Sequence, residues 1–466
     1  MKRLFGTDGM RGEAGQFPLD AATVRAAGRS LARHLAEKLG RAPRVVTGRD
    51  TRASGAWIER AFLEGALAGG AAEAVSAGVI TTPGVAYLAR TLPTDAGVVI
   101  SASHNPYHDN GIKIFAPTGR KLDDATERLI ESDIYAEFKE ETGAAAEQVD
   151  ESVAEGNQKG AVEAGECAAE LRALYLEYLS EEVAAGLKLE GLTIVVDCAN
   201  GAAFELAPAL LTRLGARVVA TFDAPDGRNI NRDCGSLHTD VLQRRVVEEG
   251  AHLGVAYDGD ADRALFVDGL GQLVDGDATL WVLAKRMQEH AELEGERVVA
   301  TVMSNLGLEL ALRSRGIELV RTDVGDKYVL EELLRTGSSL GGEQSGHIIF
   351  PRLSLAGDGM LTTVNLLRAV VESGRALEEL TEGFRRYPQV LLNVRVREKV
   401  PFEEVEEVVR ASREVRERLG EGGRLLLRYS GTEPLARVMI EGQSQSEIDA
   451  LAEGLAAVIR RSLAEG

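Results

Sequence analysis

The chain has 466 residues, 44% hydrophobic and 27% charged, which suits a globular protein of about three or four domains. Its 73 acidic and 53 basic residues give a formal net charge of −20, a field that repels nucleic acid and anionic membranes and requires any phosphate site to be locally basic. No apolar leader follows Met1 to Gly6, no run reaches the roughly 18–20 apolar residues of a spanning helix, and Cys167, Cys198 and Cys234 have neither metal nor disulfide spacing, so a cytoplasmic protein with reduced thiols is expected.

Residues 4–12 read as a glycine-rich loop carrying Arg11, whose fork of donors suits a phosphate. Val24, Ala27, Leu31 and Leu35 recur at helical spacing over 20–39. A strand at 44–50, a helix at 57–67, a strand at 74–79 and a helix at 83–92 follow. The apolar run 97–100 is a buried strand, and Asn105-Pro106 ends it in a turn. Ser103 and His104 therefore stand on a loop past a strand's C-terminal end, where open α/β sheets bind ligands. A lone turn serine ordinarily bonds its own backbone. Ser103, His104 and Lys113 all fall within eleven residues, which turns the reading toward phosphoryl chemistry.

Residues 137–170 are acidic, with Gly and Ala and few large apolar groups, and read as a solvated excursion near a domain boundary. A second unit runs from a strand at 192–197 through a helix at 205–214 and a strand at 217–221 to Arg263. A third opens with a strand at 264–268, has helices at 279–289 and 306–315 around a strand at 297–303, and includes 324–328 and 341–347. The end differs, with a half-buried strand at 391–396, a charged helix at 402–419, a hairpin-like pair at 424–428 and 435–441, and a helix at 448–463. The expected fold class is α/β: three related α/β domains with mixed sheets, followed by a smaller α+β C-terminal domain. The expected bounds are 1–150 for the domain with the Ser103 loop, 170–263 for the second, 264–380 for the third and 385–466 for the last.

Three constellations carry chemistry. Asp258, Asp260 and Asp262 alternate after a strand, and on a curling loop all three converge. Carboxylates so close repel one another unless a cation lies between them, and hard oxygen ligands suit Mg²⁺. An EF-hand is excluded, because its sixth loop position holds Arg263 instead of Gly and its twelfth Gly269 instead of Glu. Glu343, Ser345 and His347 also alternate; in an extended segment they share a face that suits a polyhydroxyl ligand. Arg428, Ser430, Gly431, Thr432 and Arg437 make a compact anion site of hydroxyls, loop N–H groups and guanidiniums. There is no Walker A sequence.

With these residues in view, the chain resembles the α-D-phosphohexomutase family essentially end to end. The resemblance rests on FGTDGMRG at 5–12, GRDTRASG at 48–55, ISASHNPYHDNGIKIF at 100–115, DGDADR at 258–263, VGDKYVLE at 324–331, GGEQSGH at 341–347 and RYSGTEPLARVMIEG at 428–442. It implies that Ser103 is the phosphorylated serine, holding Mg²⁺ together with Asp258, Asp260 and Asp262. Arg11, His104, Lys113 and Arg263 match positions around the transferring phosphoryl group, and the general base stays open between Lys113 and His104. Lys327, Glu343, Ser345 and His347 are expected to meet the sugar, and the 428–437 loop the phosphate not in transfer. The family has a mobile fourth domain. The SASHNP, GEQSGH and RYSGTEP subtypes imply interconversion of glucosamine 6-phosphate and glucosamine 1-phosphate, on the route to UDP-N-acetylglucosamine, with glucosamine 1,6-bisphosphate as activator and intermediate. A small-molecule sugar phosphate is the expected partner, and a homodimer a possible assembly. The alternatives are glucose or mannose phosphate as substrate in the same family, or an aspartyl-phosphate phosphatase using Asp258.

Overall fold

The computed structural model describes residues 3–6, 8–143, 166–430 and 433–464. The expectations for Gly431, Thr432 and the acidic stretch 144–165 lie outside the described residues.

The first domain is built on a six-stranded sheet in the spatial order Phe5–Gly6, Gly9–Glu13, Asp109–Phe115, Ala96–Ile100, Arg44–Arg49 and Glu73–Val79. All five residues of Ala96–Ile100 are buried, as a strand flanked on both sides requires. The helix Ala21–Leu39 starts where the Asp20 carboxylate accepts the Thr23 N–H and ends at left-handed Gly40. Residues 4–12 are not a plain loop. Phe5–Gly6 pairs antiparallel with Gly9–Glu13, which in turn pairs antiparallel with Asp109–Phe115, Arg11 opposite Gly111. Phe5 and Met10 are buried there, and the pairing satisfies backbone groups a glycine loop would leave to water. The helix Asp124–Gly143 runs into the stretch expected to break the pattern from residue 137.

The second domain holds a five-stranded mixed sheet in the order Leu273–Val274, Ala264–Asp268, Leu253–Tyr257, Thr193–Asp197 and Arg217–Thr221. This corrects the boundary expected after Arg263. Ala264–Asp268 pairs antiparallel with Leu253–Tyr257 over its whole length, and both strands are entirely buried. Residues 258–263 are thus the connection of one hairpin, and a domain cut there would part its two strands from each other. The third domain has a four-stranded sheet in the order Glu318–Thr322, Arg297–Thr301, Gly341–Gly342 and Ile348–Ile349, packed by the helices Leu306–Ser314 and Asp326–Thr336.

The fourth domain is a three-stranded antiparallel sheet in the order Gln389–Arg395, Leu435–Glu441 and Arg424–Tyr429, with the helices Glu406–Leu419 and Gln445–Leu463. It has its own core, including Val394, Val438 and Leu455, whereas one continuous core from Val46 to Leu380 ties the first three domains together. Cys167, Cys198 and Cys234 are free thiols. Among the described residues, no helix is long and apolar enough to cross a membrane.

Candidate active site

Ser103 follows the buried strand Ala96–Ile100, and its backbone is left-handed at φ 52°. A residue with a Cβ pays roughly 1–2 kcal/mol for that conformation. The turn aims the hydroxyl at the second domain. Ser103 Oγ donates to Asp258 Oδ2 at 2.5 Å and lies 3.3 Å from His104 Nδ1.

Asp258 stands just past the strand Leu253–Tyr257, and the loop curls back through left-handed Ala261. Ligand oxygens of Asp258, Asp260 and Asp262 come within 4.8 Å of one another, and all three residues are buried. The first domain orients them. Thr82, at the start of the helix Thr82–Thr91, donates its hydroxyl to Asp260 Oδ2 at 2.6 Å and its N–H to the Asp260 carbonyl at 2.9 Å. Lys113 is 1% exposed, donates to Asp260 Oδ2 at 2.8 Å and lies 3.1 Å from Asp8 and 3.5 Å from Asp262. Asp8 also pairs with Arg11 and Lys121, and Lys121 reaches Asp326 of the third domain at 2.6 Å.

Charge is unevenly balanced across the cluster. Burial alone would lower Lys113, but Asp260, Asp8 and Asp262 outweigh it and hold the ammonium well above its ordinary value. Burial, then Asp262 and Asp260, push Asp258 well above the usual carboxylate range. Asp262 goes the other way: burial opposes ionisation there, yet Lys113 and His347 hold it well below. Burial, with Arg263 and Arg11 behind it, pulls His104 below its ordinary value. Oδ1 of Asp260 and Oδ1 of Asp262 are buried and accept no hydrogen bond. Buried carboxylate oxygens with open lone pairs, converging on one point, fit a hard divalent cation. The cluster can bind a metal ion.

The guanidiniums fit an anion. Nε of Arg11, of Arg263 and of Arg437 is buried without a hydrogen-bond partner. Arg428 and Arg437 stand directly opposite on paired strands, and Arg437 donates to Ser430 Oγ at 3.3 Å. Burial and then Arg437 lower Arg428, with Asp323 acting the other way.

The chain matches the family described as Phosphoglucomutase/phosphomannomutase in all four of its domains: alpha/beta/alpha domain I at 2–141, domain II at 173–271, domain III at 275–387 and the C-terminal domain at 391–458. The chain belongs to this family. It is 48% identical over 464 residues to a phosphoglucosamine mutase of Solibacter usitatus, covering 100% of both chains. A solved family member from Burkholderia thailandensis shares the fold at a TM-score of 0.78 and 23% identity, over 99% of this chain and 97% of that one. The N-acetylphosphoglucosamine mutase of Aspergillus fumigatus, solved with GlcNAc-6P and magnesium, does so at 0.65 and 20%, over 98% and 96%. This phosphohexomutase is an enzyme of the isomerase class.

In this phosphohexomutase the structure brings together Ser103, His104, Lys113, Arg11, Arg263 and the three aspartates. The sugar residues stand differently from the expected extended face. Glu343 to Gly346 form a tight turn between paired strands, with Gly342 opposite Ile348 and Gly346 at φ 90°. Ser345 donates to Glu343 at 3.2 Å, and Glu343 also accepts the N–H of Gly325 at 3.1 Å. His347 is turned toward the metal cluster, 3.7 Å from Asp262 and 3.9 Å from Asp326. Burial works against its charge, but Asp262 and Asp326 lift it to about 9. Lys327 bridges to Asp124 of the first domain at 2.7 Å. Sequence reasoning missed Asp8 and Thr82. Asp8 sits in the singled-out stretch beside Arg11, but a lone carboxylate among glycines gives no sign of two lysines arriving from elsewhere. Thr81-Thr82-Pro83 reads only as a helix start.

Proposed function

We propose that this phosphohexomutase interconverts glucosamine 6-phosphate and glucosamine 1-phosphate through a phosphoserine at Ser103 and a bound glucosamine 1,6-bisphosphate. The observation that carries it is the Ser103 hydroxyl in contact with the buried aspartate cluster, ringed by Lys113, Arg11 and Arg263. The amino sugar is supported by the phosphoglucosamine mutase relative and by the subtype motifs.

A sugar hydroxyl attacks the phosphorus of phosphoserine 103; the new P–O bond forms, the bond to Oγ breaks, and the hydroxyl proton passes to a base. The bisphosphate turns round, Oγ attacks the opposite phosphate, and the other sugar monophosphate leaves. Asp258, Asp260, Asp262 and the seryl phosphate would hold Mg²⁺, which when bound neutralises charge on the phosphoryl oxygens. His104 Nδ1, 3.3 Å from Oγ, is within reach to exchange its proton. Lys113, Arg11 and Arg263 bring positive charge to the transferring group, the main need of phosphoryl transfer. Glu343, Ser345, His347 and Lys327 would meet the sugar. Arg428, Ser430, Gly431, Thr432 and Arg437 would hold the remote phosphate.

Two measurements test this. The first is kcat/KM for the 1-phosphates of glucosamine, glucose and mannose. The amino sugar should lead with glucose weakly active, and a lead for mannose overturns the substrate. The second is peptide mass spectrometry after incubation with the bisphosphate. Stable phosphate on Ser103 supports the mechanism; hydroxylamine-labile phosphate on Asp258 alone supports the aspartyl-phosphate alternative.

A further inference from the structure

The motif at 48–55 carries Arg52, a fully buried arginine that the proposed chemistry leaves without a role. A buried guanidinium is tolerated only where its donors are met, and here all five N–H groups have acceptors. Nε donates to Asp50 Oδ2 at 2.9 Å. One terminal nitrogen donates to the carbonyls of Pro106 and, at 3.0 Å, Asp109. The other donates to the carbonyls of Ser103 at 2.9 Å and Asn105 at 2.8 Å.

A second donor grips the same two carbonyls. Asn231, from the second domain, donates Nδ2 to Ser103 O at 2.8 Å and to Asn105 O at 3.1 Å. Asn231 is itself left-handed at φ 58°, with its N–H bonded to Ala199 O. The N–H of Ser103 is tied as well: it donates to Ser101 Oγ at 3.0 Å, and that hydroxyl donates to Asp50 Oδ2 at 2.6 Å. Both polar backbone groups of the strained residue thus belong to one network spanning two domains.

We propose that Arg52 and Asn231 are positioning residues for phosphoryl transfer, one from each domain, that clamp the Ser103 and Asn105 carbonyls and so hold the left-handed turn that aims Oγ at Asp258. The inference rests on the phosphoryl-carrier role proposed for Ser103. Buried loop carbonyls need a donor each, and those of Ser103 and Asn105 have two, from different domains. An acceptor oxygen that must meet phosphorus in line has to be held that closely, because a displacement of about 1 Å costs on the order of a hundredfold in rate. Neither residue touches the sugar phosphate in this reading, so losing either should leave substrate affinity in place.

The test is steady-state turnover of Asn231→Ala and Arg52→Lys beside the wild type, with melting curves. Arg52→Lys keeps the charge but cannot span four carbonyls. Each folded variant should lose kcat by roughly 10- to 100-fold while KM shifts by less than about threefold. Asn231→Ala decides the matter alone if Arg52→Lys fails to fold. Wild-type kcat in Asn231→Ala, a loss confined to KM, or a fall in kcat that only tracks the unfolded fraction overturns the inference. Mass spectrometry of Ser103 separates the two readings. A wild type that never carries phosphate there sinks the carrier role itself, whereas a phosphorylated wild type beside a fully active Asn231→Ala sinks the clamp alone.

Discussion

At the scale of single residues, the site is a set of charges that make sense only together. Asp8 is the clearest case: burial disfavours its charge, yet Lys113 and Lys121 hold its carboxyl well below the usual range. It shares Lys113 with Asp260 and Asp262, and Arg11 and Lys121 with nothing else in the metal cluster. Replacing Asp8 by Asn keeps the shape and removes the charge. Lys113 should then lean toward the metal carboxylates and Arg11 lose its anchor. The expected outcome for Asp8→Asn is a fall in kcat of about 10- to 100-fold, below the roughly hundred- to thousandfold cost of removing a donor that stabilises transferring charge directly. Single-turnover transfer from phosphorylated enzyme measures it, and an unchanged rate would make Asp8 structural.

Between elements, what matters is how closely two loops approach. Gly259 lies where a Cβ would come 2.5 Å from the Ser103 carbonyl and 2.9 Å from Asn231 Nδ2. The carbonyl is backbone and cannot swing aside. Gly259→Ala should therefore push the serine loop away from the aspartate loop. A loss of turnover of at least about tenfold is expected from the misplacement, with circular dichroism unchanged; full activity would mean the loops have slack. The 341–347 segment shows why element types are harder to read than element positions. Its carboxylate, hydroxyl and imidazole alternate as a strand would, but left-handed Gly346 packs against the Ala264 carbonyl and bends the segment into a turn. The alternation is in the sequence; the neighbour that forces the bend is not.

At the scale of the molecule, the fourth domain has a separate core and meets the third through a small polar joint. Glu441, fully buried, accepts from Arg424 at 2.8 Å, from Asn305 at 3.1 Å and from the N–H of Leu306 at 3.2 Å. Arg428→Ala should weaken sugar-phosphate binding by about 1.5–3 kcal/mol, as expected for a charged hydrogen bond. Metal binding should survive, because the aspartates lie two domains away. Calorimetry with sugar phosphate and with Mg²⁺ checks both, and metal lost with sugar phosphate retained would contradict the assignment.

The sequence by itself determined which chemistry the chain carries. Strand-loop periodicity, Ser103 past a buried strand, three alternating aspartates and paired arginines in a hydroxyl-rich loop were all legible, because each is a local pattern of a few residues. So were the four-domain order and most helices and strands, although the helices Asp124–Gly143, Asp240–Glu248, Asp326–Thr336 and Gly359–Ser373 went unread between stronger signals. Only the tertiary structure decided what meets what. It paired Phe5–Gly6 with Gly9–Glu13 at a sheet edge, kept Ala264–Asp268 in the second sheet, faced His347 toward Asp262, and gathered Asp8, Thr82, Arg52 and Asn231 around the site. The physical reason is range. Periodicity and turn chemistry act over neighbours in sequence, whereas a buried charge is settled by partners such as Asp260 for Lys113, 147 positions apart.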